Sequence, residues 1–187
     1  MRLWPGIVYT WGSTADERAE PFPCDKLLPE ASGTLFRGVD VKAPAGAVYR
    51  WLCQLRVAPY SYDRLDNGGR TSPQTLTPGL DRLEAGQRMM SMFRLAAFEP
   101  DCSITATSHG RLFGRVAITY RVRERVPGRS RLLAKVLVVP DAGAPWSLPM
   151  RLILPPGDLV MMRRQLLNLR DLAQRESPQR SVSPSAP

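Results

Sequence analysis

Arg115-Val116-Ala117-Ile118-Thr119-Tyr120-Arg121-Val122-Arg123-Glu124-Arg125 is the stretch that decides the fold. Val116, Ile118, Tyr120 and Val122 point one way, while Thr119, Arg121, Arg123 and Arg125 point the other. Successive side chains of a strand face opposite sides, so this period of two marks a strand with one apolar and one wet face. Pro127-Gly128 supplies a turn with proline and glycine at its favoured central positions. Arg131 to Val139 then returns as the partner strand of an antiparallel hairpin.

Upstream of the hairpin, Ser103 to Thr107 alternates and Met89 to Ala97 is apolar, giving further short strands, with His109-Gly110 read as a turn. Thr34 to Val41 reads as the first strand, because Leu35, Val39 and Val41 share one parity and Asp40 and Lys42 the other. Pro44 suits the first turn of a helix, and Ala47, Val48, Trp51, Leu52 and Leu55 recur at spacings of three and four as one apolar face. That helix is expected to end near Arg56, ahead of Pro59. Tyr62 to Leu65 forms a second short helix that Gly68-Gly69 breaks. At the N-terminal side, Thr14 and Glu17 have the spacing of a capping box, but Pro21 and Pro23 stop the helix within two turns. Trp4 and Trp11 are expected to pin this arm onto the domain.

Downstream, Pro140, Pro145 and Pro149 mark a loop that Pro155-Pro156-Gly157 ends, and Asp158 is a good N-cap for the last helix. Leu159, Met162, Leu166, Leu169 and Ala173 form a stripe along it. From Leu159 to Glu176 the helix would be about 27 Å long, enough to cross a sheet. Helices at one end of an antiparallel sheet give an α+β layer fold, in which the long helix must bury its stripe on the inward face of the hairpin.

The 187 residues and 43% hydrophobic content suit one domain with a real core. Cys24, Cys53 and Cys102 are odd in number, widely spaced and without a CxxC or Cys/His cluster, so neither zinc nor a disulfide scaffold is expected. They read as reduced thiols of a cytoplasmic protein. Pro5-Gly6 stands where a secretory leader needs its apolar run, and no run approaches the ~20 residues of a membrane span. The net charge of +9 is carried mostly by arginines scattered along the chain, which fits a solvated surface better than a nucleic-acid site. An interaction module for RNA or an acidic partner stays as an alternative, with nucleic acid disfavoured.

The order of elements resembles the helix-grip fold of the START/Bet v 1-like (SRPBCC) superfamily, which includes polyketide cyclase-like proteins. Trp11-Gly12-Ser13-Thr14, Pro23-Cys24-Asp25, Ala43-Pro44 and Trp51-Leu52-Cys53-Gln54 are similar to spaced motifs of one bacterial branch. Tyr60-Ser61-Tyr62-Asp63 with Leu65-Asp66-Asn67, and Gly157 to Leu167, complete the resemblance. Cys24 in place of a glycine, Arg64 in place of a tryptophan and Gln87 in place of an aspartate depart from it. The resemblance implies a curved antiparallel sheet wrapped around the long C-terminal helix, with an apolar cavity between them. On this reading residues 1–33 are an arm packed on the domain, 34–176 the helix-grip domain and 177–187 a disordered tail.

The resemblance implies a hydrophobic small molecule or lipid as ligand, with polyketide cyclase or aldol-type chemistry as the alternative; no cofactor is expected, and one lone His with unclustered cysteines gives no metal-ligand set. The candidate acid/base groups are Tyr62, Asp63 and Asp66, because carboxylates in apolar surroundings can have raised pKa values. A structural role competes: Asp63 and Asp66 can cap or bridge the short helix, with the tyrosines packed on the sheet. Candidate ligand contacts at the mouth are Trp51, Tyr60, Tyr62, Asp63 and Asn67. Met89, Met92, Phe93, Met162 and Leu166 are candidate walls, since flexible methionines suit an adaptable cavity. His109 is the single histidine and no GxSxG elbow surrounds any serine, so a hydrolase triad is not expected.

Overall fold

A computed structural model describes residues 5–110, 113–140 and 147–177, with side chains omitted for 147–151. Trp4 and nearly all of the tail expected to be disordered lie outside the described residues. Three short helices, α1 (Gly6–Thr10), α2 (Ala15–Ala19) and α3 (Pro23–Leu27), precede strand β1 (Gly33–Val41). Helix α4 (Ala45–Cys53) runs into a 3-10 turn (Gln54–Arg56), and α5 (Asp63–Asp66) follows. Then come β2 (Arg88–Met89), β3 (Phe93–Glu99), β4 (Ser103–Gly110), β5 (Gly114–Val126), β6 (Arg129–Val139) and the long helix α6 (Ser147–Glu176).

The strands form one antiparallel sheet in the order β1-β6-β5-β4-β3-β2. The β5–β6 hairpin turns at Pro127-Gly128, as its proline and glycine dictate, with Gly128 at φ +74°. Register shifts between Leu95 and Ala97 and between Glu124 and Val126 bend the strands and curve the sheet around α6. Val116, Ile118, Tyr120 and Val122 do share the inner face, joined there by Leu132, Ala134, Val136 and Val138 of β6. Met162, Leu166, Leu169 and Ala173 of α6 close over that face. This is the helix-grip α+β fold.

The other face of β5 is not wet as its alternation indicates. Phe22, Cys24 and Leu28 of the N-terminal arm cover it, packing on Phe36, Ala117, Leu133 and Leu137 as a second apolar layer. Cys24 N–H donates to Thr119 Oγ1 (3.1 Å), Arg121 lies over the Phe22 ring (3.8 Å), and Lys135 pairs with Asp25 (2.5 Å). Arg115 at one end of that face and Arg123 and Arg125 at the other reach solvent. The capping box at Thr14 and Glu17 forms, with Glu17 N–H on Thr14 Oγ1 (3.2 Å) and Thr14 N–H on Glu17 Oε2 (2.9 Å). Glu17 also receives Arg131 Nε (2.8 Å) and Arg125 (2.8 Å), so the cap is an anchor for the arm as well. Burial opposes the charge on Glu17, but hydrogen bonds from Arg131 and Thr14 and the charges of Arg131 and Arg125 hold its carboxyl at about 2.

Two local expectations are corrected. His109-Gly110 is not a turn but the end of β4, where His109 pairs with Arg115. Helix α6 does not begin at an Asp158 cap; it starts at Ser147 and continues through Pro155 and Pro156. Proline lacks the N–H of a helical hydrogen bond and crowds the preceding turn, which is why the pair reads as a stop. Arg37 helps to hold the chain here, its Nη2 reaching Pro155 O at 3.5 Å and Asp158 at 2.7 Å. Asp158 is freed from capping and serves as the partner of a buried arginine.

Candidate functional site

Between the curved sheet and α6 lies a cavity of about 460 Å³. Its sheet wall carries Leu35, Val116, Ile118, Val136 and Val138, and its helix wall Leu154, Met161 and Met162. Met92 and Phe93 from the start of β3, with Phe113, border another side. The volume is in the range of small-molecule sites, which are mostly apolar with a few placed polar groups.

Those polar groups fall into two sets. Tyr120, wholly buried in β5, donates its hydroxyl to Gln165 Oε1 at 2.6 Å. Gln165 in turn donates Nε2 to Pro59 O (2.7 Å) and to Met90 Sδ (3.3 Å). Burial pushes the Tyr120 phenol far above its usual range, so it stays a neutral donor. This strut ties the sheet, α6, the Pro59 segment and the β2–β3 turn around one corner of the cavity.

The second set is Arg37 and Asp158. Arg37 lies on β1 with the same parity as Leu35 and Val39, so it enters the interior layer, where it is fully buried. Its Nη1 donates to Phe36 O (2.8 Å) and its Nη2 pairs with Asp158 (2.7 Å), which lines the cavity. Burial pushes the Asp158 carboxyl up to about 6 against the opposing pull of Arg37. Burial likewise lowers the Arg37 pKa, with Asp158 acting the other way.

The Pro59–Asn67 segment is divided between two sides. Pro59, Ser61 and Asp66 face the cavity, and the Ser61 hydroxyl donates to Asp66 Oδ2. Tyr60, Ser61 and Asp63 border a separate polar pocket of about 280 Å³ with Arg164, Asn168 and Arg175 of α6. Tyr60 sits at φ +56°, a left-handed conformation rare for a bulky residue. Asn168 Nδ2 on its carbonyl (2.8 Å) and the edge of Trp51 against its ring (6.0 Å, 85°) hold it there. Burial, and then the Asp63 charge, push the Tyr60 phenol up to about 12.

The sequence candidates are therefore dispersed. Asp66, Met92, Phe93 and Met162 border the cavity. Asp63 accepts Ser72 N–H (2.8 Å) and Ser72 Oγ (2.5 Å), and Asn67 Nδ2 donates to Arg70 O (2.6 Å), so both fix the local loop. Tyr62 is 40% exposed and borders neither pocket. Trp51 is buried on α4 and donates Nε1 to Glu176 Oε2 (2.9 Å), while Met89 and Leu166 are core residues outside the cavity lining. Arg37, Tyr120, Asp158 and Gln165 were not among the candidates. Arg37 had a signal, a charge on the apolar parity of β1, and Tyr120 had one, a phenol on the apolar parity of β5; Asp158 and Gln165 had none, since a lone glutamine or aspartate on a helix carries no chemistry of its own.

Among the described residues no group of three or more His, Cys, Asp or Glu could hold a metal, and no helix is long and apolar enough to cross a membrane. Many arginines are engaged internally: Arg121 and Arg123 with Glu20, Arg125 and Arg131 with Glu17, and Arg115 with Glu30.

No protein-family model matches the chain, and no curated protein matches it. Solved structures do. A hypothetical protein of Helicobacter pylori aligns at a TM-score of 0.53 with 14% identity, over 83% of this chain and 96% of its own. A protein of Thermus thermophilus aligns at 0.51 with 15% identity, over 78% and 99%. The di-domain ARO/CYC StfQ from the steffimycin biosynthetic pathway aligns at 0.51 with 11% identity, over 81% of this chain and 54% of StfQ. At such identities the likeness is one of fold. The chain shares with them the helix-grip fold.

Proposed function

We propose that the protein binds a hydrophobic small molecule or lipid in the cavity between the curved sheet and α6. The observation that carries this reading is an apolar space of about 460 Å³ at the place where the helix stripe and the hairpin would otherwise pack directly. Interiors normally close to crystal-like density with few voids larger than a water, so a space of this size is a feature the fold maintains. Native mass spectrometry of the protein as purified tests it, together with melting temperatures across a panel of hydrophobic ligands. A retained adduct or ligand-dependent stabilisation is expected, and Val136→Trp, which fills the space from the sheet side, abolishes either. Absence of any adduct and an unmoved melting temperature across the panel would overturn the reading.

A second reading, polyketide cyclase or aldol-type turnover, is favoured by one observation: two carboxylates, Asp66 and Asp158, border the cavity. Asp158, held near 6 by burial, suits proton transfer at neutral pH. Of the sequence candidates for that chemistry, Asp66 alone borders the cavity, and Tyr62 and Asp63 belong to its outside. Catalysis lost in Asp158→Asn with ligand affinity kept would support turnover; full activity in both Asp158→Asn and Asp66→Asn would remove it. Recognition of RNA has less support, because so many of the basic side chains already hold carboxylates within the fold.

A further inference from the structure

The polar atoms around the cavity are unequal in what they still offer. The Tyr120 hydroxyl is engaged by Gln165, and the Gln165 amide by Pro59 and Met90. What remains is the Ser108 hydroxyl, which can donate or accept, and acceptor capacity on two carboxylates. Asp158 makes one ion pair, to Arg37, and no other polar contact among the described residues. Asp66 takes the Ser61 hydroxyl on Oδ2, while its Oδ1 is buried without a hydrogen-bond partner. An ionised carboxylate has about four acceptor positions and no donor. Leaving such a buried acceptor unmet costs about 1–3 kcal/mol, so a ligand that supplies the missing donor is favoured over one that does not.

Charge points the same way. Arg37 balances Asp158, and among the described residues no basic side chain lines the cavity beside Asp66. The fixed charge that the described walls turn to a ligand is therefore negative. A second carboxylate brought into the apolar walls would meet repulsion and lose its hydration. A neutral hydroxyl loses far less and gains a charge-assisted hydrogen bond, roughly twice as strong as a neutral one.

Resting on the reading of this space as a ligand cavity, we infer that its ligand is an apolar molecule bearing hydroxyl donors, with Asp66 and Asp158 as the acceptors, and that carboxylate-bearing amphiphiles such as fatty acids are excluded. The two carboxylates make the cavity selective for the polar end of the molecule, while the aliphatic and methionine walls tolerate variation in its body.

Three probes of one shape test this: naphthalene, 2-naphthol and 2-naphthoate, titrated at pH 7.5 by calorimetry. A two-ring aromatic is small against about 460 Å³, so shape does not discriminate among them. The expected order is 2-naphthol at least tenfold tighter than naphthalene, with 2-naphthoate weakest. Asp66→Asn, or the double change Arg37→Met with Asp158→Leu, lowers 2-naphthol affinity at least fivefold and leaves naphthalene affinity in place, which also certifies the fold. If 2-naphthoate binds as tightly as 2-naphthol, or if both variants keep the wild-type ratio of naphthol to naphthalene, the inference is overturned while the cavity reading stands. If none of the three binds, the cavity reading falls with it.

Discussion

Arg37 on β1 and Asp158 on α6 meet at 2.7 Å inside the layer between sheet and helix, joining two residues 121 positions apart through an ion pair with almost no access to water. Removing one partner of such a pair strands a buried charge, which costs about 3–5 kcal/mol. Arg37→Met is expected to destabilise by that order in urea denaturation. The double change Arg37→Met with Asp158→Leu should recover much of the loss, because replacing both charges by apolar groups is often neutral. A double variant as unstable as the single one would mean that the pair holds the helix in a way packing cannot replace.

Glu17 gives the fold an acid-sensitive anchor. Its carboxyl lies at about 2 in the folded chain against a usual 4.5, so the unfolded state takes up the proton first as pH falls. The stabilisation is therefore complete above about 4.5 and is lost between there and about 2. At one pKa unit per 1.36 kcal/mol the ceiling is about 3 kcal/mol. The gap between wild type and Glu17→Gln in denaturant midpoint should be constant from pH 6 to 8 and shrink steadily below 4.5. A gap that does not narrow in acid would place the effect of the substitution elsewhere than in the charge.

Gly12 lies at φ +72° with its backbone against β1, where a Cβ would overlap the carbonyl oxygen of Gly38. The Trp11 carbonyl accepts from Gly38 N–H (3.1 Å), so the approach carries a hydrogen bond between arm and strand. Gly12→Ala is expected to cost about 2 kcal/mol or more, by forcing a left-handed alanine and parting the two backbones. Limited proteolysis between Thr10 and Glu20 should accelerate in parallel; unchanged cleavage would show the contact to be dispensable.

Gln165→Leu keeps the volume but removes the strut. The Tyr120 hydroxyl keeps only weak sulfur acceptors, and the Pro59 carbonyl loses its donor. A loss of about 1–3 kcal/mol is expected. Hydrogen exchange at Tyr60 and Ser61 should quicken, because the left-handed Tyr60 is held from the same helix. Unaltered exchange there would separate the strut from the segment.

The sheet and the long helix were legible because their signals are local. Alternation from Val116 to Arg125 and the Leu/Met stripe of α6 each follow from one periodicity. What failed depended on partners distant in sequence. The outer face of β5 reads as polar through Thr119 and Arg121, and only the arm residues Phe22 and Cys24, about a hundred positions earlier, make it an interior. Pro155-Pro156 reads as a stop because a proline pair cannot propagate a helix by itself, and Arg37 lies 118 residues away from the carbonyl it meets there. The site was harder still. The Pro59–Asn67 segment is dense in functional groups, yet with Tyr60 in a left-handed turn Pro59 and Asp66 border the cavity, Tyr60 and Asp63 the polar pocket, and Ser61 both, which no spacing rule anticipates.

The arm and β1 also bear on the order in which the chain can assemble. Among the described residues strand β1 pairs only with β6, from Gly33 on Val138 to Val41 on Ser130. Glu17 meets Arg131 across 114 residues. During synthesis the first forty residues, beyond the approach of Trp11 and Gly12 to Gly38, thus wait for the last hairpin and α6 to supply their tertiary partners. The β5–β6 hairpin, closed by a two-residue turn, is the local nucleus on which they can condense. Non-local pairings of this kind slow folding relative to helical domains. The protein should refold in a late phase in which β1 and the arm add together, and substitutions in the arm should speed unfolding while leaving the early hairpin phase untouched.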